Sequence, residues 1–173
     1  MFFYMPSSPE LTITQPSIAD GAEMWRIARD SKELDLNASY SYLLMARDFW
    51  STSVIAKVSG KPAGFVTGFL RPSAPNTLVV WQVAVDQDHR GKGIARQMLQ
   101  ALVDRCSRQG VWFLETTITP DNNASIGLFT SLAEQVRAPI VRTDLFASDH
   151  FPDEHKPEQL YRIGPWSTYE GRS

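Results

Sequence analysis

Of the 173 residues, one is a cysteine, Cys106. A single thiol excludes an internal disulfide and fits a reducing compartment, so a cytoplasmic protein is expected. An excess of one charge is also missing. Lys and Arg number 17 and Asp and Glu 19, a formal net charge of −2 with a pI near 5.9. That balance argues against a general nucleic-acid or membrane-surface partner, so an acidic ligand has to be met by a local cluster. No apolar run has the length of a membrane span. The apolar start Met1–Pro6 lacks a basic leader and reads as a loose arm or a partner contact. Internal repeats and low-complexity tracts are absent too. The remainder, 43% hydrophobic and 21% charged, is the composition of one soluble globular domain with a proper core. The expected division is an arm over 1–9, one domain over 10–166 and a tail over 167–173.

Periodicity orders the domain. A short strand around Leu11 and Ile13 precedes a helix capped by Ser17 and running to Asp30; Asn37 caps a second helix over 38–49. Strands over 53–58 and 63–70 form a hairpin about Gly60-Lys61-Pro62, and Pro72 and Pro75 bracket a loop. A strand over 77–86, a helix over 91–109 closed by Gly110 and a strand over 111–118 follow. A helix from Asp121 or Asn122 to Glu134 and strands over 140–146 and 159–163 complete the chain. The fold class expected is α/β, a mixed sheet of about seven strands flanked by about four helices. Its middle strand–helix–strand unit should be parallel, with a splay between the fourth and fifth strands, where open sheets take ligands.

The densest local signal is Val79-Val80-Trp81-Gln82-Val83-Ala84-Val85-Asp86, followed by Gln87-Asp88-His89-Arg90-Gly91-Lys92-Gly93-Ile94-Ala95. A β-branched strand feeds a glycine-rich turn that opens a helix. Free backbone N–H groups and the helix dipole favour an anion there, and Arg90, Lys92 and Arg96 add formal positive charge. A bare Gly-x-Gly is equally compatible with an ordinary connection; the order of strand, turn, cations and helix favours the anion site. No Gly-Lys-Ser/Thr follows, which excludes a nucleotide-phosphate loop of that kind.

Arg90-Gly91-Lys92-Gly93-Ile94-Ala95 resembles the Arg/Gln-x-x-Gly-x-Gly/Ala signature of the GNAT superfamily of acetyl-CoA-dependent N-acetyltransferases. Asp121-Asn122-Asn123-Ala124-Ser125 is similar to its pattern after the fifth strand, and the element order matches over about residues 10–164. Further blocks resemble the branch that acetylates L-2,4-diaminobutyrate in ectoine biosynthesis. They are Glu33-Leu34-Asp35-Leu36-Asn37-Ala38-Ser39-Tyr40, Val80–Val85, Phe113–Asn122, Asp149-His150-Phe151 with His155, and Leu160-Tyr161-Arg162-Ile163. The resemblance implies acetyl transfer from acetyl-CoA, with no metal, to the 4-amino group of a small diamino acid by direct attack in a ternary complex. It also implies a homodimer.

Three tasks follow from that chemistry. The cofactor would lie along Val83, Ala84 and Val85, its pyrophosphate on the amides of Gly91, Lys92, Gly93, Ile94 and Ala95, with Arg90 and Asn122 beside it. A central-strand N–H aimed at the thioester oxygen would act as an oxyanion donor. The amine calls for carboxylates and an aromatic face, which Asp35, Tyr40, Trp81, Glu115 and Asp149 offer. Asp35 also reads as a linker residue, Trp81 as core and Tyr40 as helix packing. Glu115 stands inside an apolar strand, where a buried charge needs a partner and a cationic substrate would be one. Proton transfer is the third task. The tyrosine of many family members, seven residues after Asn122, is Phe129 here. Tyr161, Asn122 or water is left as the acid, and Glu115 through a water or His155 as the base. Cys106 lies in the apolar stripe of its helix and reads as core rather than nucleophile. The rival readings are a GNAT enzyme for another small amine, a polyamine or a protein N-terminus, and a non-catalytic acyl-CoA sensor.

Overall fold

A computed structural model describes residues 8–167. The arm expected over 1–9 and the tail over 167–173 lie almost entirely outside the described residues. Four α-helices and seven strands are found among those described: β1 (Leu11–Thr14), α1 (Gly21–Ser31), α2 (Ser39–Asp48), β2 (Val54–Val58), β3 (Lys61–Arg71), β4 (Ala74–Val85), α3 (Ile94–Ser107), β5 (Phe113–Ile118), α4 (Asn123–Gln135), β6 (Ile140–Phe146) and β7 (Glu158–Ile163). One sheet holds all seven in the order β1-β2-β3-β4-β5-β7-β6. The β4–β5 pair is parallel and the others are antiparallel.

Alternation along β2 shows how the layers form. Val54 and Ala56 turn to one core, shared with Met98, Leu99 and Leu102 of α3 and Phe129 and Leu132 of α4. Ile55, between them, turns to the other, shared with Met24 and Ile27 of α1 and Tyr42 of α2. Period two in the strands therefore feeds two helical layers from one sheet. Both cores are continuous apolar packing of the kind that supplies the main driving force for folding.

Three boundaries differ from those expected. The first helix is preceded by a 3-10 turn over Ile18–Asp20, where Asp20 accepts hydrogen bonds from the Ser17 N–H (2.8 Å) and hydroxyl (3.1 Å). Ser17 thus donates where a capping acceptor was expected. The loop about Pro72 and Pro75 is a tight turn at 72–73, and Pro75 already stands in β4, near its start, where a missing N–H costs least. The third helix starts at Ile94, which leaves Gly91-Lys92-Gly93 outside it as a turn.

Candidate active site

Two features of β4 build the site. Its ladder with β5 covers Thr77, Leu78 and Val79 opposite Phe113, Leu114 and Glu115, and goes no further. Beyond that point the two strands separate, and the Thr116 hydroxyl donating to the Val80 carbonyl (3.1 Å) spans the start of the gap. The second feature is a bulge. Opposite β3, Gln82 pairs with Thr67 and Val80 with Gly68, so Trp81 is an extra residue without a partner. Gly68 suits this spot because a Cβ there would lie 2.7 Å from the Val79 carbonyl oxygen.

The gap opens into two adjoining cavities. One, of about 580 Å³, has Trp81 and Val83 on one wall and Thr116, Thr117 and Ile118 on the other; Asp35, His155, Lys156 and Glu158 stand around it. The second, of about 740 Å³, runs along Val83, Ala84 and Val85 to Arg90, Ala95, Asn122 and Ser125. Glu33, Leu34, Val83, Thr119, Asn122 and Ser125 border both, so a ligand in one reaches the other.

The second cavity has the features that a phosphate-bearing, extended ligand needs. The β4 edge beyond Val79 is unpaired on its β5 side. Gly91 and Gly93 have φ of +73° and +74°, a conformation natural to glycine that turns successive N–H groups to one side. The first-turn amides of α3 follow. The Asn122 side chain caps α4 by accepting from Ser125 N–H at 3.1 Å. Two of the three cations beside the turn are already engaged. The Arg90 guanidinium donates to the carbonyls of Ser31 and Val85 (each 3.3 Å) and pairs with Glu33 (3.2 Å), while Lys92 Nζ donates to the Asp88 carbonyl (3.2 Å). Arg90 and Lys92 are thus held within the protein, while the third cation, Arg96, is exposed in the first turn of α3.

Around the first cavity the expected residues divide. Asp35, Trp81 and His155 border it, and Trp81, 47% exposed, is a wall and not core. His155 Nε2 lies 3.0 Å from Asp35 Oδ2 and 3.7 Å from Glu158 Oε1, and its ring stacks on Phe151 at 4.2 Å. Its contact with the Lys156 carbonyl and then Asp35 raise its pKa above the ordinary value. Lys156 pairs with Asp121, a second polar clasp joining the 147–157 loop to the far wall.

Tyr40, Asp149, Glu115 and Tyr161 are not in the cavity wall. Tyr40 is 66% exposed on α2, on the helix face away from the buried Tyr42. Asp149 is exposed in the turn over Ser148–His150. Tyr161 is packed in the core, cross-strand from Thr116, and does not border either cavity. Glu115 is buried, as a strand charge needing a partner must be, but Arg71 and Arg162 supply that partner. Arg162 in turn lies over the Phe113 ring at 3.9 Å. The carboxylate is neutralised within the protein and has no claim on a substrate. Removing its charge by Glu115→Gln is expected to cost about 1–3 kcal/mol of stability, the range for a lost buried polar partner. A thermal melt measures the loss, while kcat should change little.

Glu158 is the residue that sequence reasoning missed. It opens β7, one position before the strand was expected to start, and shares a face with Leu160 and Arg162. Its side chain is 17% exposed, and its Oε2 is buried with no partner in the protein. Burial pushes its pKa up and Asp35 adds to that, against the Thr117 hydroxyl and the His155 ring. The period-two pattern of β7 could have signalled it. Phe129 is buried and borders the first cavity, so no hydroxyl stands at that place. Burial lifts the Cys106 thiol to about 11, which removes it as a nucleophile. No cluster of metal-ligating side chains is found among the described residues.

Comparison with known proteins adds to this geometry. The acetyltransferase (GNAT) family profile matches residues 21–133. An L-2,4-diaminobutyric acid acetyltransferase of Streptomyces coelicolor is 55% identical over 161 residues, covering 91% of this chain and 95% of the relative. A diaminobutyrate acetyltransferase from Paenibacillus lautus, solved with its substrate L-2,4-diaminobutyric acid and coenzyme A, superposes with a TM-score of 0.87 at 40% identity, covering 95% of this chain and all of that one. The ribosomal-protein-S18-alanine N-acetyltransferase of Escherichia coli superposes with a TM-score of 0.72 at 17% identity over 95% of this chain, a likeness of fold.

Proposed function

The chain belongs to the GNAT family of acetyltransferases, and from that premise we propose that it transfers the acetyl group of acetyl-CoA to the 4-amino group of L-2,4-diaminobutyrate, a step of ectoine biosynthesis. The observation that carries the substrate class is the ring of charge around the smaller cavity: Asp35, Glu33 and Glu158 for the ammonium groups, and Lys156 with His155 for the α-carboxylate. A polyamine has no carboxylate to use those cations, and a protein N-terminus has no second amine for the extra acids.

Acetyl-CoA supplies the activated acetyl group. Val83, Ala84 and Val85 offer it an unpaired strand edge, and the Gly91–Ala95 turn offers amides for its pyrophosphate. A β4 N–H beside the bulge would meet the charge that develops on the thioester oxygen, a kind of contact worth about 3–4 kcal/mol. Trp81 gives the bound ammonium an aromatic face. Glu158 is the base, because its raised pKa makes it a stronger proton acceptor than an ordinary carboxylate. His155, with its pKa also raised, stays cationic to higher pH and suits the carboxylate-binding part better.

The proton balance explains Phe129. The ammonium gives one proton to Glu158 before the nitrogen attacks. Once the C–N bond forms, the nitrogen sheds a second proton and the departing sulfur takes one up. The protein does not have to provide an acid of its own, so a phenyl ring at that position is compatible with turnover.

Thiol release from acetyl-CoA with a panel of amines tests the assignment. L-2,4-diaminobutyrate is expected to outpace putrescine and a peptide N-terminus by at least about tenfold in kcat/KM, the discrimination from one lost charged contact. Release no faster than the blank would sink it. Val141, Leu145 and Phe146, exposed along the edge strand β6, support a homodimer. Light scattering should then give twice the 19.5 kDa chain mass.

A further inference from the structure

The segment 32–38 carries Glu33, Leu34, Asp35 and Asn37 to the smaller cavity, yet it has no helix or strand of its own. Asp35 itself is 85% exposed at its side chain, so packing does not hold it. What ties its backbone to the sheet is one buried relay. The Tyr42 hydroxyl donates to Gln82 Oε1 at 3.0 Å, and Gln82 Nε2 donates to the main-chain carbonyl of Asp35 at 2.9 Å. Tyr42 and Gln82 are 2% and 7% exposed, and Tyr42 is wedged edge-on against Phe65 with ring centroids 5.9 Å apart.

We propose that Tyr42 is a positioning residue for the amine pocket, acting through Gln82 to fix the backbone that presents Asp35. The proposal rests on the diamino-acid reading above. Its physical basis is the ambiguity of a carboxamide: either end of Gln82 could face the loop, and an oxygen facing the Asp35 carbonyl would repel it. The Asp35 carbonyl can only accept, which selects the orientation with the amide N–H toward the loop; the Tyr42 hydroxyl then satisfies the buried Oε1 left at the other end and holds the carboxamide in place. The bulge makes the arrangement possible. In an uninterrupted strand Gln82 would share the face of Val80, toward α3 and α4. The extra residue at Trp81 turns Gln82, with Ala84, to the side of α1 and α2, where Tyr42 is. One irregularity thus aims Trp81 at the cavity and Gln82 at its anchor.

Tyr42→Phe keeps the ring and its packing while removing the donor, and it does not border the cavity. The variant is expected to raise the KM for L-2,4-diaminobutyrate by about fivefold or more, the effect of one lost buried hydrogen bond. The KM for acetyl-CoA should stay unchanged. Amide hydrogen exchange should quicken over residues 33–37 and remain as in the wild type over α3 and β4. Gln82→Met should give the same pattern, and the double variant should be no worse than Gln82→Met alone, because the two act in series. An unchanged amine KM, an equal rise in both KM values, or additive effects in the double variant would overturn the proposal. Hydrogen exchange reads the loop without turnover, so wild-type inactivity toward the diamino acid would refute the substrate assignment while exchange still judges the anchor.

Discussion

Replacing Gly93 by Val is expected to lower the affinity for acetyl-CoA by about 100-fold or more while leaving a folded protein. Gly93 holds φ at +74° as the residue before α3, and a β-branched side chain at that φ costs roughly 1–3 kcal/mol. A Cβ there meets nothing nearer than Gln97 Nε2 at 3.9 Å, so the protein itself does not clash with it. The strain is small against the roughly 5–15 kcal/mol of an ordinary domain, and the fold survives. What is lost is the turn. Relief of the strain rotates the amides of residues 93–95, and each charge-assisted hydrogen bond forfeited to a phosphate is worth about 1.5–3 kcal/mol. Two such losses account for the expected factor. Calorimetric titration with coenzyme A, beside a circular-dichroism melt, reads both quantities. A Val variant that binds as the wild type does would show that the turn is an ordinary connection.

Glu158→Gln carries the second large effect. General-base catalysis contributes roughly 10²–10⁴-fold, and kcat with the diamino acid is expected to fall by at least about 100-fold. The acetyl-CoA KM should hold, because Glu158 borders the smaller cavity and not the larger. The pH profile supplies the sign. A base works when deprotonated, and burial raises the Glu158 pKa above its ordinary value of 4.5, so activity appears as pH rises through that raised pKa. The acidic limb of the wild-type kcat profile belongs above the ordinary glutamate range, and the Gln variant should lack it. His155 has the opposite dependence. With its pKa raised above 6.5, its positive charge persists to higher pH and is lost as pH climbs through that value, which weakens the pairing with Asp35. Retention of the acidic limb in Glu158→Gln would move the base elsewhere.

Much of this was legible in the chain because it depends on local physics. Strand and helix periods named all seven strands and four helices, and two glycines between a β-branched run and an amphipathic stretch marked the tight turn before α3. The identities of the cavity residues were harder. Glu115 and Glu158 are both carboxylates on β-strands, and nothing local tells them apart. What separates them is that β7 lies between β5 and β6, which brings Arg162 opposite Glu115, with Arg71 reaching the same carboxylate from the end of β3. Glu158 receives no arginine and has the His155 ring at 3.7 Å from its Oε1. Tyr40 and Tyr42 are likewise neighbours on one helix, and the turn of the helix decides that Tyr42 faces the sheet while Tyr40 faces water.

The bulge at Trp81 is the sharpest instance. By composition, Val79–Val85 is an uninterrupted buried strand, and period two would send Trp81 and Gln82 to opposite faces from those of a shifted register. Its unpaired residue is accommodated by Gly68 of β3 across from it, where a side chain would strike the Val79 carbonyl. The sequence by itself determined the elements, their order and the glycine turn before α3, since each follows from residues within one helix or strand of one another. The tertiary structure alone decided which partners each charge meets, because pairing is settled by strands far apart in the chain: Glu115 lies against two arginines, whereas Glu158 keeps one buried oxygen without a partner in the protein.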